Sequence, residues 1–167
     1  GLKRLAPHEA MFGHDAISSL DGEDHTRFRR RLTAAFHGDA LKGYEATVVA
    51  TTEAAVGRWP LRAPVPFAAL TPELDRDVIV ATVFGVTDAG RADRLRRALD
   101  RLDRAVNSRE LAGRVAAAIL MRGWWAPYPR MRSIHAEIDA IAREEIAERR
   151  RSARRGSPDC LGRFLSP

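Results

Sequence analysis

The chain has 167 residues, which is enough to bury the core of one domain. Its only cysteine, Cys160, excludes an intrachain disulfide and a cysteine-based zinc site, and no apolar run approaches the roughly 18 residues needed to span a bilayer. The formal net charge of +6 favours an acidic partner or a polyanion. Nearly all the basic residues are arginine, however, and an arginine- and alanine-rich composition is also typical of GC-rich genomes, so the charge alone decides little.

Residues 1–20 are mixed in character and favour short helix and loop, without the basic-then-apolar order of a signal peptide. Beyond them, apolar residues recur at helical spacing through most of the chain. The first clear helix is predicted over residues 22–36, with Asp21 as its N-cap and Gly38 as its stop signal. A second helix is predicted over residues 40–59.

The segment "LRAPVPF" is predicted to be extended, because its two prolines lack an N–H and constrain their neighbours. A third helix follows over residues 70–84, with Thr71 as its cap, Pro72 in its first turn and Gly85 at its end. The stretch from Val78 to Phe84 is apolar on most faces of this helix. That pattern predicts a central, buried helix.

Three further helices are predicted at residues 88–106, 110–121 and 130–153. The run "REEIAERRRSARR" at residues 143–155 alternates in sign and predicts a solvated face, with a nucleic-acid surface as the alternative. No alternating stretch is long enough to predict a strand. The predicted fold class is therefore mainly α, with little or no sheet, in a single domain over residues 1–167.

The stretch "DGEDHTRFRRRLTAAF" places a histidine and four arginines within seven positions of the first helix. His25 and Arg29 are four residues apart, so both emerge on one face, which Leu32 and Phe36 continue with apolar side chains. A charged arginine beside a core needs an anion, and a carboxylate suits both donors. The alternative is a solvated basic face with an incidental histidine.

No other constellation predicts a site. The remaining histidines share no spacing typical of a metal centre, and no phosphate loop, nucleophile elbow or helical zinc motif is present. The sequence therefore predicts no catalytic residue and no metal ligand within this chain. The other histidines are His8, His14, His37 and His135.

The order of the motifs resembles the cytochrome P450 superfamily in its soluble bacterial style. "LDGEDHTRFRRRLTAAF" is followed by "WP", "PVPF", "DVIVATVFGV" and "PYPRMRSIHAEIDAIAREEIAERR", and the likeness runs through essentially the whole chain. The acidic-His-Thr-Arg-x-Arg-Arg block is the most specific element and resembles the family's C helix. The resemblance implies a partial cytochrome P450 fold, covering helices C, D, E, F and G.

The resemblance implies haem as the cofactor, with His25 and Arg29 at the positions that bind the haem propionates. It also places Arg27, Arg30 and Arg31 on or near the surface where a ferredoxin-type redox partner docks. The implied activity is that of a haem-thiolate monooxygenase, which hydroxylates an apolar organic substrate with O₂ and electrons from that partner. An all-α, arginine-rich nucleic-acid-binding or regulatory domain is the alternative.

The family's acidic-Thr pair and its Gly-rich loop with the axial cysteine are not found. Glu73 to Arg76 and Glu148 to Arg151 match the family's buried Glu-x-x-Arg pair by spacing, but both lie in the wrong context, so we count them as chance. Cys160 lies in "SPDCLGRFL", without the framing of that loop, so we do not assign it to iron. We expect the chain to be an internal piece, running roughly from the B–C loop to the G helix, and to be inactive alone.

Two regions would form the roof of the substrate pocket in such an enzyme, residues 1–20 and 105–126. Their apolar content favours an apolar substrate. The contributing residues are Leu5, Met11, Phe12, Ile17, Leu111, Ile119 and Leu120. The single cysteine fits a reducing cytoplasm, and we expect neither a membrane nor a nucleic-acid partner. The resemblance leaves the substrate and the identity of the redox partner open.

Overall fold

The structure, a computed structural model, describes residues 16–36, 38–62, 64–108, 113, 129–152 and 157–165. After a short 3-10 turn at Ile17–Ser19, six helices follow in these ranges. They are α1 (Gly22–Ala35), α2 (Asp39–Val56), α3 (Phe67–Ile79), α4 (Ala89–Val106), α5 (Pro129–Arg151) and α6 (Cys160–Leu165). None of these described residues lies in a strand, which confirms the mainly α prediction.

The contacts divide the chain into two compact units. One comprises Gly1–Arg31 with Arg97–Ala140, and the other comprises Leu32–Arg96 with Ile141–Pro167. That they form a single domain stays a prediction. Among the described residues, no helix is both long and apolar enough to cross a membrane.

The turn between α1 and α2 follows its sequence signals. The prediction of a helix stop at Gly38 is confirmed, since this glycine has a φ of 57° and stands immediately before α2. The predicted end of α2 at residue 59 is three residues too late. After Val56 the chain changes to tighter turns, in which Arg58 N donates to the Ala55 carbonyl at 3.0 Å and Trp59 N donates to the Val56 carbonyl at 3.0 Å.

The start of α3 corrects the sequence prediction. The helix begins at Phe67, directly after the extended Pro66, so Thr71 and Pro72 lie inside it rather than at its start. Pro72 cannot donate to the Ala68 carbonyl, one turn earlier, because it has no N–H. Ala68 is exposed, so water can satisfy that carbonyl and the helix tolerates the proline.

A wide turn ends α3. Val80–Phe84 form a π-helical turn, and Gly85 closes it in the left-handed region at φ 55° and ψ 33°, which confirms the predicted stop. The prediction of a buried central helix is wrong for the described chain: α3 has no buried residue, Ile79 is exposed, and Val80 alone in the following turn is fully buried. An apolar run shows that a helix can be buried, but it does not show how many neighbouring elements pack against that helix.

Helices α4 and α5 match the predicted ranges to within two residues at either end. The residues buried in α4 include Leu95 and Ala98, and those in α5 include Met131, Ile134 and Ile141. The predicted helix at residues 110–121 lies outside the described residues apart from Gly113.

In the second unit, a small core cluster includes the last residue of α1. Its buried members are Ala35, Ala40, Tyr44 and Cys160, and Val83 and Phe164 pack against them while partly exposed. Helix α6, where the sequence predicts only a loop and the beginning of a further element, places Cys160 and Phe164 in this cluster.

Candidate functional site

Helix α1 carries the predicted site residues, and it forms for local reasons. Glu23 and Asp24 lie in its first turn, where the amide end of the helix favours negative charge. Because His25 and Arg29 both lie within α1, they stand one turn apart on the same face, as the sequence predicts. His25 is half-buried and Arg29 is exposed.

His25 and Arg29 differ from Arg27, on the same helix, in whether a carboxylate lies nearby. The Nη2 atom of Arg27 lies 2.7 Å from Asp24 Oδ1, three residues earlier, in an exposed ion pair. Across the part of the chain that the structure describes, no carboxylate oxygen lies within 4 Å of a nitrogen of His25 or Arg29. The helix thus presents one histidine and one arginine, separated by a single turn, with unused capacity to bind an anion.

An open cavity lies beside a different strip of α1. Its volume is about 300 Å³, and it is lined by Leu20, Asp24, Arg27, Phe28 and Arg31. His25 and Arg29 are not among its lining residues. Arg27, Arg30 and Arg31 are exposed.

A buried ionic cluster lies at the other end of the chain, and its centre is Arg149. Arg149 is 0% exposed, Glu145 is 1% exposed and Asp159 is 6% exposed. The guanidinium donates through Nε to Glu145 Oε1 at 2.8 Å and through Nη1 to Asp159 Oδ1 at 2.7 Å. Its Nη2 donates to the carbonyl oxygens of Phe84 and Gly85 at 2.7 and 2.9 Å.

The charges in this cluster balance. Arg91 Nη1 lies 2.5 Å from the second oxygen of Glu145, so Glu145 joins both arginines. Burial acts to lower the pKa of Arg149, but its hydrogen bonds to Asp159 and Glu145 and their negative charges outweigh burial and raise that pKa above its ordinary value. Arg149 therefore stays charged inside the protein and is tied to both carboxylates.

The Cys160 thiol lies next to this cluster. It is a free, buried cysteine. Burial raises its pKa, and the negative charge of Asp159 acts in the same direction, so the neutral thiol is the stable form. No group of three or more histidine, cysteine or acidic side chains that could hold a metal ion occurs among the residues that the structure describes.

Comparison with known proteins identifies relatives over most of the chain. Over 158 residues, 93% of the chain, it is 32% identical to "Putative cytochrome P450 137" of Mycobacterium tuberculosis, and the match covers 32% of that protein. It is 28% identical over 140 residues to "Putative cytochrome P450 135B1" of the same species, which is 84% of the chain and 29% of the relative. It is also 32% identical over 87 residues to "Putative cytochrome P450 138" of Mycobacterium bovis, covering 52% of the chain and 20% of the relative.

The chain belongs to the cytochrome P450 superfamily. It spans about a third of the length of the first two of these relatives. No family model and no solved structure matches it. The superfamily membership confirms the resemblance carried by the motif order, and with the helices of the structure it supports a mainly α, partial cytochrome P450 fold.

For this cytochrome P450 chain, the sequence prediction of a solvated charge run at residues 143–155 is wrong in one respect. Arg149, within that run, is fully buried, and so is Glu145. The spacing of the apolar residues could have predicted this burial. One face of α5 carries, at intervals of seven, four and four residues, Ile134, Ile141, Glu145 and Arg149. A glutamate and an arginine four apart on an apolar face predict a buried pair, whereas alternation in sign along the sequence does not.

The predicted walls of the substrate pocket are mostly outside the described residues. Of the apolar side chains named for that role, Ile17 alone is described, and it is half-buried in the 3-10 turn before α1. The others are Leu5, Met11, Phe12, Leu111, Ile119 and Leu120. The role of these residues stays a prediction.

Proposed function

We propose that this chain is part of a haem-thiolate monooxygenase, in which His25 and Arg29 hold the haem propionates. One observation carries the proposal: within the described chain the two donors share a face of α1 and have no carboxylate partner, whereas Arg27 on the same helix is paired with Asp24. An arginine that lacks a protein carboxylate is suited to an external one.

The chemistry of these residues fits a propionate. Arginine offers five N–H donors in a planar fork, and histidine adds a ring N–H donor, so one turn of helix can serve both oxygens of a carboxylate or two neighbouring carboxylates. The haem supplies the activation of O₂ for hydroxylation, while the protein supplies binding, orientation and electrostatics. His25 and Arg29 orient and neutralise the acidic edge of the cofactor; in this proposal neither takes part in the reaction.

The redox partner forms the second part of the proposal. Arg27, Arg30 and Arg31 are exposed on α1, which supports a basic surface for an acidic, ferredoxin-type protein. Asp24 neutralises part of the charge of Arg27, so we expect Arg30 and Arg31 to contribute more to the attraction. An apolar organic substrate and a cytoplasmic location complete the proposal; both rest on the composition of the chain and the family.

Haem retention in the complete enzyme tests the proposed site. His25→Ala and Arg29→Ala should each weaken haem binding, since losing a hydrogen bond to a charged group costs about 1.5–3 kcal/mol, or roughly ten- to a hundredfold in affinity. Arg27→Ala is the matched control, because position 27 lies about 200° round the helix from position 25. Haem titration of the apoproteins measures all three affinities. If Arg27→Ala lost haem while Arg29→Ala kept it, the assignment to His25 and Arg29 would be wrong.

A further inference from the structure

Six charged side chains of the second unit are joined by ion pairs in a row that alternates in sign and extends the buried cluster towards the surface. In order, they are Arg94, Glu144, Arg91, Glu145, Arg149 and Asp159. Burial increases along the row, because the side chain of Arg94 is 44% exposed, that of Arg91 is 17% exposed and that of Arg149 is 0% exposed. The row therefore connects an exposed cation on α4 to the fully buried arginine of α5.

The row has one weak point, which is the Nε atom of Arg91. Arg91 Nη1 donates to Glu145 Oε2 at 2.5 Å, but Nε is buried and has no hydrogen-bond acceptor among the described residues. Glu144 Oε2 lies 3.7 Å from it, which is too far for a hydrogen bond. A buried donor that lacks its hydrogen bond lowers the folding equilibrium constant by a factor of about 5 to 150.

The oxygen that could satisfy Arg91 Nε is held by a competing cation. Arg94 Nη2 donates to the same Oε2 atom of Glu144, in a pair whose two side chains are about half exposed. Exposed ion pairs contribute a factor of only about 1.4 to 5 to the folding equilibrium constant. Moving the oxygen by about 0.5–1 Å would bring it to hydrogen-bonding distance from Nε. A weak surface contact thus holds the carboxylate away from a stronger buried one.

We propose that Glu144 is a two-position carboxylate that exchanges between Arg94 at the surface and the buried Nε of Arg91. The structure shows the outer position. In the inner position Oε2 accepts the hydrogen bond of Nε, and the Arg94 guanidinium is released to anions outside the chain. Glu144 loses part of its hydration on moving inwards, which offsets part of the gain and keeps the two positions close in free energy. The switch involves neither His25 nor Arg29, so its failure would leave the proposed function untouched.

The exchange of the Arg91 Nε–H proton with water reports the position of Glu144. It can be followed by nuclear magnetic resonance on the ¹⁵N-labelled 167-residue chain, where the signal is assigned by its loss in Arg91→Lys. Arg94→Met removes the competing cation, so this exchange should slow by at least about fivefold as Glu144 moves to the inner position. Arg101→Met is the matched control, because Arg101 forms an exposed pair with Glu137 between the same two helices. It should leave the exchange of Arg91 unchanged.

A second variant identifies the acceptor. In Arg94→Met/Glu144→Ala the carboxylate is absent, so the Arg91 proton should exchange again at the rate of the unmodified chain. An exchange rate that Arg94→Met does not change, or that Arg101→Met slows equally, would overturn the proposal. Slow exchange that persists in the double variant would also overturn it, since the acceptor would then be a group other than Glu144.

Discussion

The hydroxyl of Tyr44 on α2 donates a buried hydrogen bond of 2.8 Å to the carbonyl oxygen of Ala35, the last residue of α1. The last carbonyls of a helix have no partner within the helix, so a buried one needs a donor from elsewhere. Tyr44 supplies that donor from the neighbouring helix. The bond fixes the end of α1 while the tyrosine ring fills the core beside Cys160.

Tyr44→Phe should therefore lower the free energy of unfolding by about 0.5–1.5 kcal/mol, with the ring retained and a buried carbonyl left without its donor. Urea titration of the chain measures the change. Thr26→Val is the control, since its hydroxyl donates to the Gly22 carbonyl at 3.0 Å in an exposed position, where water replaces the bond. Equal losses of unfolding free energy in the two variants would show that burying the Tyr44 hydrogen bond does not add to its contribution to stability.

Alkaline pH should destabilise the chain. Burial raises the pKa values of both Cys160 and Tyr44 in the folded state, so the folded chain holds these protons at a pH where the unfolded chain has released them. The resulting stability is complete below the unfolded thiol pKa of about 8.5 and decreases as pH rises above it, with Tyr44 adding to the loss from about pH 10. Urea midpoints at pH 7, 9 and 10.5 measure this slope. Cys160→Ala should flatten the change between pH 7 and 9, whatever its effect at pH 7.

Gly85→Ala should be strongly destabilising. A Cβ at this position would lie 2.2 Å from Asp159 Cγ, and the φ of 55° is unfavourable for alanine by roughly 1–2 kcal/mol before any clash. Gly90→Ala is the matched control in α4, where the nearest atom to the new Cβ is Asp88 Oδ1 at 3.5 Å. Helix propensity predicts that this second change is neutral or stabilises by up to about 1 kcal/mol. Thermal unfolding of the two variants should move in opposite directions.

The isolated 167-residue chain should not show the carbon monoxide difference band of a thiolate-ligated haem. Its only thiol, Cys160, is buried in the core cluster, and burial favours the neutral form rather than the thiolate that binds iron. Spectra of the haem-reconstituted, reduced chain under carbon monoxide test this expectation. A clean thiolate-type band that disappears in Cys160→Ala would show that our interpretation of this cysteine is wrong.

Electron transfer to the complete enzyme should depend on salt through α1. Arg30→Ala and Arg31→Ala should slow ferredoxin-dependent turnover at low ionic strength, and the difference from the unmodified enzyme should shrink at high salt, where the screening length falls from about 30 Å at 0.01 M to about 3 Å at 1 M. Arg151→Ala, exposed on α5, is the control for the loss of one positive charge. If all three variants respond alike, net charge rather than the α1 surface governs the association.

Much of the fold could be predicted because the helices obey local rules. The 3.6-residue spacing predicted α4 and α5 almost to their ends, and Gly38 and Gly85 marked turns that require a positive φ. The exceptions have tertiary causes. The start of α3 at Phe67 places Pro72 inside the helix, which is tolerated because Ala68 is exposed and water can reach its carbonyl, and no local pattern reports that exposure.

The site residues likewise divide into those whose arrangement follows from local spacing and those brought together by tertiary contacts. That His25 and Arg29 share a face follows from their spacing alone, and the helix confirms it. The Arg149 cluster joins residues that are 64 and 65 positions apart in the sequence, so no local window contains the Phe84 and Gly85 carbonyls that make burial of the arginine possible. Of the groups that bind Arg149, only Glu145, four residues earlier on the same helix, could have been predicted from the sequence.

The bonds from Arg149 to the Phe84 and Gly85 carbonyls have a consequence for the order of folding. These carbonyls end the π turn, so a side chain from α5 satisfies the terminus that Gly85 closes. Those contacts can form only after residues 64 and 65 positions apart in the sequence have met, and the entropy cost of such a closure makes them late events. The turn Val80–Phe84 should therefore fray until α5 docks, and the slow step of unfolding should include withdrawal of Arg149.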